Sequence, residues 1–145
     1  PPPPTRSVNT CPEDTGKRPT MPDGTIRFLD SQNAPELKVE VALTTAHRNH
    51  GLMFRPQLTD KQGMLFSWRQ EDKRSFWMKN TCLALDMLFI AKNGTIVGIL
   101  EQVPPMNLDS RSVPCRAAHV LEVRAGWTRA YGVKPGQRIS IQAAP

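Results

Sequence analysis

The chain has no run of about 18 apolar residues, so no segment of it reads as a membrane-spanning helix. Its three cysteines, Cys11, Cys82 and Cys115, lack CxxC spacing and a histidine at zinc-finger distance, which argues against a structural zinc site. Basic residues never run beyond two in succession, and acids interleave with them, as in RQEDKR at Arg69–Arg74. The net charge of +6 therefore reads as a dispersed, solvated surface, and nucleic acid is not the expected partner. GxGxxG, GxxxxGK and GxSxG are absent, as is any internal repeat, so no motif supplies a reaction. Large apolar side chains are nearly missing from residues 1–24, which carry PPPP and further Pro-flanked turns. Such a segment cannot offset its ordering entropy and is expected to be a disordered Pro-rich tether, leaving residues 25–145 as one domain.

The chain opens on proline, not methionine, and exported bacterial proteins carry such Pro-rich arms directly after a signal peptide or a lipid-anchored cysteine. The expected location is periplasmic or envelope-associated, and a boundary inside a cytosolic protein is the alternative. Cys82 and Cys115 fall at expected strand ends, where neighbouring strands can bring them together. A Cys82–Cys115 disulfide is expected, worth roughly 3–4 kcal/mol in an oxidising compartment, with Cys11 left over or paired between chains. Three reduced thiols are the alternative.

What is present is mostly strand signal. TIRFLD (Thr25–Asp30) and ELKVEVAL (Glu36–Leu43) alternate apolar with polar residues and read as a hairpin across Ser31–Pro35. Thr44 or Thr45 can cap a short helix carrying His47, Arg48 and His50, ended by Gly51. Gly63–Trp68 and Ser75–Lys79 read as short strands. Leu85–Ala91 and Thr95–Val103 form a hairpin across Asn93-Gly94, and Ala117–Arg124 is a further strand. A second short helix lies in AGWTRAYG, followed by a last strand at Arg138–Gln142. The expected fold is mainly β, α+β at the margin: a compact β-sandwich or barrel-like domain with two short helices.

GLMFR at Gly51–Arg55, GMLF at Gly63–Phe66, FWMKNT at Phe76–Thr81, LDMLFI at Leu85–Ile90, a hairpin, then VLEVRAGW follow in a distinctive order. In that order the chain resembles the family called domain of unknown function 192, over roughly Val39 to Ile141. The resemblance implies a compact, mostly β domain, often exported in bacteria, with no reaction attached to it.

Embedded in those runs are Arg55, Trp77, Lys79, Asn80 and Asp86, which apolar packing alone does not explain. Strand alternation puts Phe76, Met78 and Asn80 on one face and Trp77, Lys79 and Thr81 on the other. Trp77 can stack on a flat or sugar-like ligand while Lys79 holds an anionic group. Equally, Trp77 can cover a neighbouring strand with Lys79 lying over it. Asp86 within an apolar strand needs partners: Arg55, Lys79 or the amides of the Asn80–Cys82 turn. It is either a buried anchor or an acidic group in a pocket with Asn80 and Arg55.

His47, His50 and His119, with Met53, Met64, Met78, Met87 and Met106, are the soft donors that suit Cu(I). A solvated helix face and methionine core filling explain the same residues, so neither metal nor other cofactor is expected. The resulting expectation is an exported binding or interaction module of the bacterial envelope, its partner a small ligand or an envelope protein. The alternatives are a hydrolase-like enzyme centred on Asp86 and an accessory subunit using the Val103–Cys115 loop and the Pro arm.

Overall fold

The structure, a computed structural model, describes residues 11–14, 16 and 18–143. Seven strands run in chain order as β1 (Asp23–Phe28), β2 (Leu37–Ala42), β3 (Gln62–Asp72), β4 (Leu85–Ile90), β5 (Ile96–Val103), β6 (Ala117–Arg124) and β7 (Ile139–Ala143). The two helices are short, α1 (Thr45–His50) and α2 (Trp127–Ala130). All strands join one sheet in the order β5-β4-β6-β3-β2-β1-β7. Every pairing is antiparallel except β2 with β3, whose connection carries α1 across the sheet.

The mainly β fold with two short helices is as expected, built from a single sheet that is not closed into a barrel. Its two edges meet at one isolated bridge, Thr95 with Arg138. The Asn93-Gly94 turn makes that meeting possible. Gly94 has φ +92, and a Cβ there would stand 2.6 Å from the Ile139 carbonyl oxygen.

Both faces of the sheet are covered. One face packs Ile26, Leu37, Val41, Leu65, Leu88, Leu121 and Trp127. The other packs Leu52, Met64, Phe66, Met78, Met87, Phe89 and Val120 beneath α1 and the long connectors. Strand β4, held between β5 and β6, is consequently buried at all six positions, which its near-continuous apolar sequence allows.

Four expectations are corrected. Ser75–Lys79 is not a strand: the segment is an irregular connector whose only bridge joins Phe76 to Arg111. Asn80 adopts φ 53, and this left-handed turn ends the alternation there, with Thr81 buried as Met78 is. The disulfide is Cys11–Cys82, not Cys82–Cys115, and Cys115 is an exposed free thiol. Cys11 is bonded to the body and Met21 is buried in it, whereas Cys115 is exposed in the loop before β6. Finally, the segment ahead of residue 25 is not wholly apart from the domain. β1 begins at Asp23, Met21 is buried among core residues, and Cys11 is covalently joined to the body. The tether expected for residues 1–10 lies outside the described residues.

Candidate functional site

The aspartate at the heart of the LDMLFI strand does not reach a pocket. Asp86 is fully buried, and its two carboxylate oxygens accept four hydrogen bonds. Oδ1 takes the Gln102 and Gly126 amides at 2.9 and 3.2 Å. Oδ2 takes the Thr128 amide at 3.0 Å and the Thr128 hydroxyl at 2.7 Å. Neither Arg55 nor Lys79 nor the Asn80–Cys82 turn is its partner, contrary to expectation. β4 runs past the end of β5 and the start of α2, which offer their free amides to the same carboxylate. Asp86 is an anchor that ties α2 and the β5 bulge to the sheet.

Arg55 is also engaged elsewhere. Its Nη1 is 2.5 Å from Glu40, and that guanidinium holds the Glu40 carboxyl below its ordinary range. The pair borders a cavity of about 700 Å³ on the β2 side of the sheet. Asn80 acts through its backbone: its carbonyl accepts the Phe54 amide at 2.8 Å, clasping the GLMFR turn to the FWMKNT turn. Both Phe54 and Asn80 sit at positive φ, 65 and 53. The five residues singled out in the sequence are therefore not brought into one recess.

Trp77 is different. It is half exposed, with the Lys79 ammonium 5.3 Å from its ring centroid, and it lines a separate cavity of about 390 Å³. One wall is α1 and its exit turn. Thr44 Oγ1 caps the helix by accepting the His47 amide at 3.1 Å, and Gly51 closes it at φ +49, where a Cβ would press within 3.3 Å of the Phe66 ring. That close approach brings Arg48, His50 and Leu52 to the cavity. The opposite wall is the connector around Phe76, fixed to the 104–112 loop by paired Phe76–Arg111 backbone bonds of 2.9 and 2.8 Å and by Met78 N to Asn107 O at 2.7 Å. Phe76 stands edge-on to Phe66 and Trp68, at 5.0 and 6.2 Å between centroids.

Glu122 supplies the cavity floor. It lies on β6 opposite Met64 of β3 on one side and Met87 of β4 on the other. Only 4% of it is exposed, and among the described residues neither a hydrogen bond nor a nearby charge offsets that burial. Burial pushes its carboxyl up from 4.5 to about 8, so at neutral pH it is an uncharged acid able to donate. Alternation along Ala117–Arg124 puts Glu122 on the face of Ala118 and Val120, yet it was not among the residues singled out from the sequence. The signal was there: an acid flanked by valine and leucine on an apolar strand.

The histidines and methionines do not assemble. His119 bonds Ser67 Oγ at 2.8 Å and is made less basic by burial, His50 lies 3.2 Å from Asp14, and Met64, Met78 and Met87 are core. Among the described residues no group of three His, Cys, Asp or Glu is disposed to hold a metal ion, and no helix is long and apolar enough to cross a membrane.

Residues 27–141 match the family described as Uncharacterized ACR, DUF192. The chain is similar to a candidate transcription regulator from Sinorhizobium meliloti, known by crystal structure, at 36% identity and a TM-score of 0.79. That match covers 86% of this chain and 97% of the other. A protein of unknown function from Novosphingobium aromaticivorans matches at 25% identity and a TM-score of 0.73, over 93% of this chain and 96% of that one. No curated protein matches the sequence.

Proposed function

We propose that this chain, which belongs to the DUF192 family, is a binding module that takes a small ring-bearing ligand into the cavity beside Trp77. The observation that carries the reading is Glu122: a buried, unpartnered carboxyl under a recess walled by Phe66, Trp68, Phe76 and Trp77. A lone buried acid costs several kcal/mol unless something bonds to it, so its position is explained best by an occupant. Aromatic walls with a few convergent polar groups are the usual make-up of a small-molecule site. An oxidising, exported setting, periplasmic or envelope-associated, is part of the proposal. The Cys11–Cys82 disulfide supports it, because cytosolic thiol systems keep such pairs reduced.

A hydrolase centred on Asp86 is not carried forward, since that carboxylate is saturated by four donors inside the sheet. The description of the Sinorhizobium relative does not transfer readily either. The longest described helix here has six residues, short for an element that reads a DNA groove. A protein partner is the second reading, favoured by Trp77 and Leu108, large apolar side chains of the cavity lining that stand exposed.

The test is to purify the chain under native conditions, denature it, and identify released small molecules by mass spectrometry. Ser75→Trp, at an exposed position on the cavity lining, serves as the blocked control. The expected result is a compound released by the wild type and missing from Ser75→Trp of equal melting temperature. Nothing released, or equal release from both, contradicts the small-ligand reading. A protein chain retained by the wild type and lost from Trp77→Ala, with no small molecule, supports the second.

A further inference from the structure

The depth and surroundings of Glu122 say what kind of molecule fits. The strands on either side bring only Met64 and Met87 beside it. The connectors carrying Phe76 and Leu108 bring no ionisable group into the lining. α1 contributes Arg48 and His50, the latter beside Asp14, and beyond Met64 lies the Glu40–Arg55 pair on the β2 side. Among the described residues no cation pairs with the carboxyl. The aromatic walls, meanwhile, already hold cations against their faces. Arg48 and Arg74 lie 5.2 and 4.1 Å from the Trp68 centroid, and Lys79 lies over Trp77. A positively charged guest would find those faces occupied and like charge around the rim.

Resting on the cavity reading above, we propose that the occupant is an uncharged or anionic ring compound that enters with a hydrogen-bond acceptor foremost. Its inner oxygen takes a hydrogen bond from the Glu122 carboxyl, its ring lies among Phe76, Trp77 and Phe66, and any negative group stays at the rim near the cations. Organic cations are the class the cavity turns away. The protonation state fits this geometry, since with its carboxyl raised to about 8 Glu122 is a donor at neutral pH and an acceptor only above that. Binding is therefore expected to weaken as pH rises through that value.

The experiment uses the full chain with its methionine methyls labelled with ¹³C, because Met53 lines the cavity and Met64 and Met87 flank Glu122. Acetanilide, phenylacetate and benzyltrimethylammonium are titrated at millimolar concentration, at pH 6.5 and pH 9.5. The expected result is that acetanilide and phenylacetate move these methyl signals at pH 6.5 while the ammonium compound does not. Affinity for acetanilide should fall about 30-fold by pH 9.5, following the loss of the protonated acid. Glu122→Gln keeps a donor, so it should bind acetanilide equally at both pH values, which assigns the pH dependence of the wild type to Glu122. Preference for the ammonium compound, or wild-type affinity that ignores pH, overturns the proposed ligand class while leaving a binding cavity. If none of the three moves the methyls, the cavity reading fails, and this proposal with it.

Discussion

Replacing Glu122 with glutamine should make the protein more stable at neutral pH, and increasingly so as pH rises toward 8. In the native state the carboxyl is held protonated up to about 8, against 4.5 for an ordinary glutamate. Below 4.5 the group carries its proton in both the folded and the unfolded chain, and burial adds no pH-dependent cost. Between those values the unfolded chain gives up the proton while the folded one keeps it. The folded state then binds more protons, so stability declines with rising pH until the folded group ionises near 8. At about 1.4 kcal/mol per pH unit the whole interval amounts to roughly 5 kcal/mol. Glutamine is close to isosteric and cannot ionise, and its buried amide costs about 1–2 kcal/mol. Glu122→Gln should therefore lie about 1–2 kcal/mol below the wild type at pH 4 and exceed it by about 3 kcal/mol at pH 8. Urea denaturation at pH 4, 6 and 8 measures this directly. A gap that does not widen with pH would refute the assignment of a buried, unpaired acid. A widening gap is what a site retained at the expense of stability looks like.

Asp86→Asn should have the opposite sign. One of its oxygens becomes an amide group facing the Thr128 N–H, leaving a buried donor without an acceptor, for a loss of about 2–4 kcal/mol. Urea denaturation should show that loss while the Met53 methyl signal keeps its position, and a change below about 0.5 kcal/mol would show that Asp86 is no anchor. Cys11→Ser opens a cross-link spanning 71 residues and should cost about 4 kcal/mol in the same assay, whereas Cys115→Ser should leave stability unchanged. Equal effects of the two substitutions would contradict the Cys11–Cys82 pairing.

The strands were legible where period and turn chemistry agreed. The β1–β2 and β4–β5 hairpins follow from alternation and from Asn93-Gly94, and α1 from Thr44 and Gly51. FWMKNT misled because it alternates like a strand for four residues. The turn at Asn80 becomes visible only once the Phe54 amide is seen to need the Asn80 carbonyl. Asp86 and Arg55 drew attention as charges in apolar runs, and both are indeed partly or wholly buried. Their partners, Thr128, Gly126 and Glu40, are distant in sequence or reached only through the sheet, so spacing could not name them. Trp77 is exposed beside a buried Met78 because neighbouring residues of an extended segment face opposite ways, and that much alternation could show. Glu122 escaped notice for a simple reason. A single acid in a strand usually points to solvent, and only the burial of β6 on both faces turns it inward. The disulfide shows the same limit: the Cys11–Cys82 link joins the segment ahead of β1 to the body, with Met21 of that segment in the core.

The most direct measurement is the titration of the Glu122 side-chain carboxyl by ¹³C NMR, with Glu122→Gln identifying the signal. A midpoint near 8 is expected, rising further when acetanilide is present, because a bound acceptor favours the protonated acid. A midpoint in the ordinary range around 4.5, indifferent to acetanilide, would mean that the carboxyl is solvated or paired and that the recess beside Trp77 has no acid on its floor to receive a ligand.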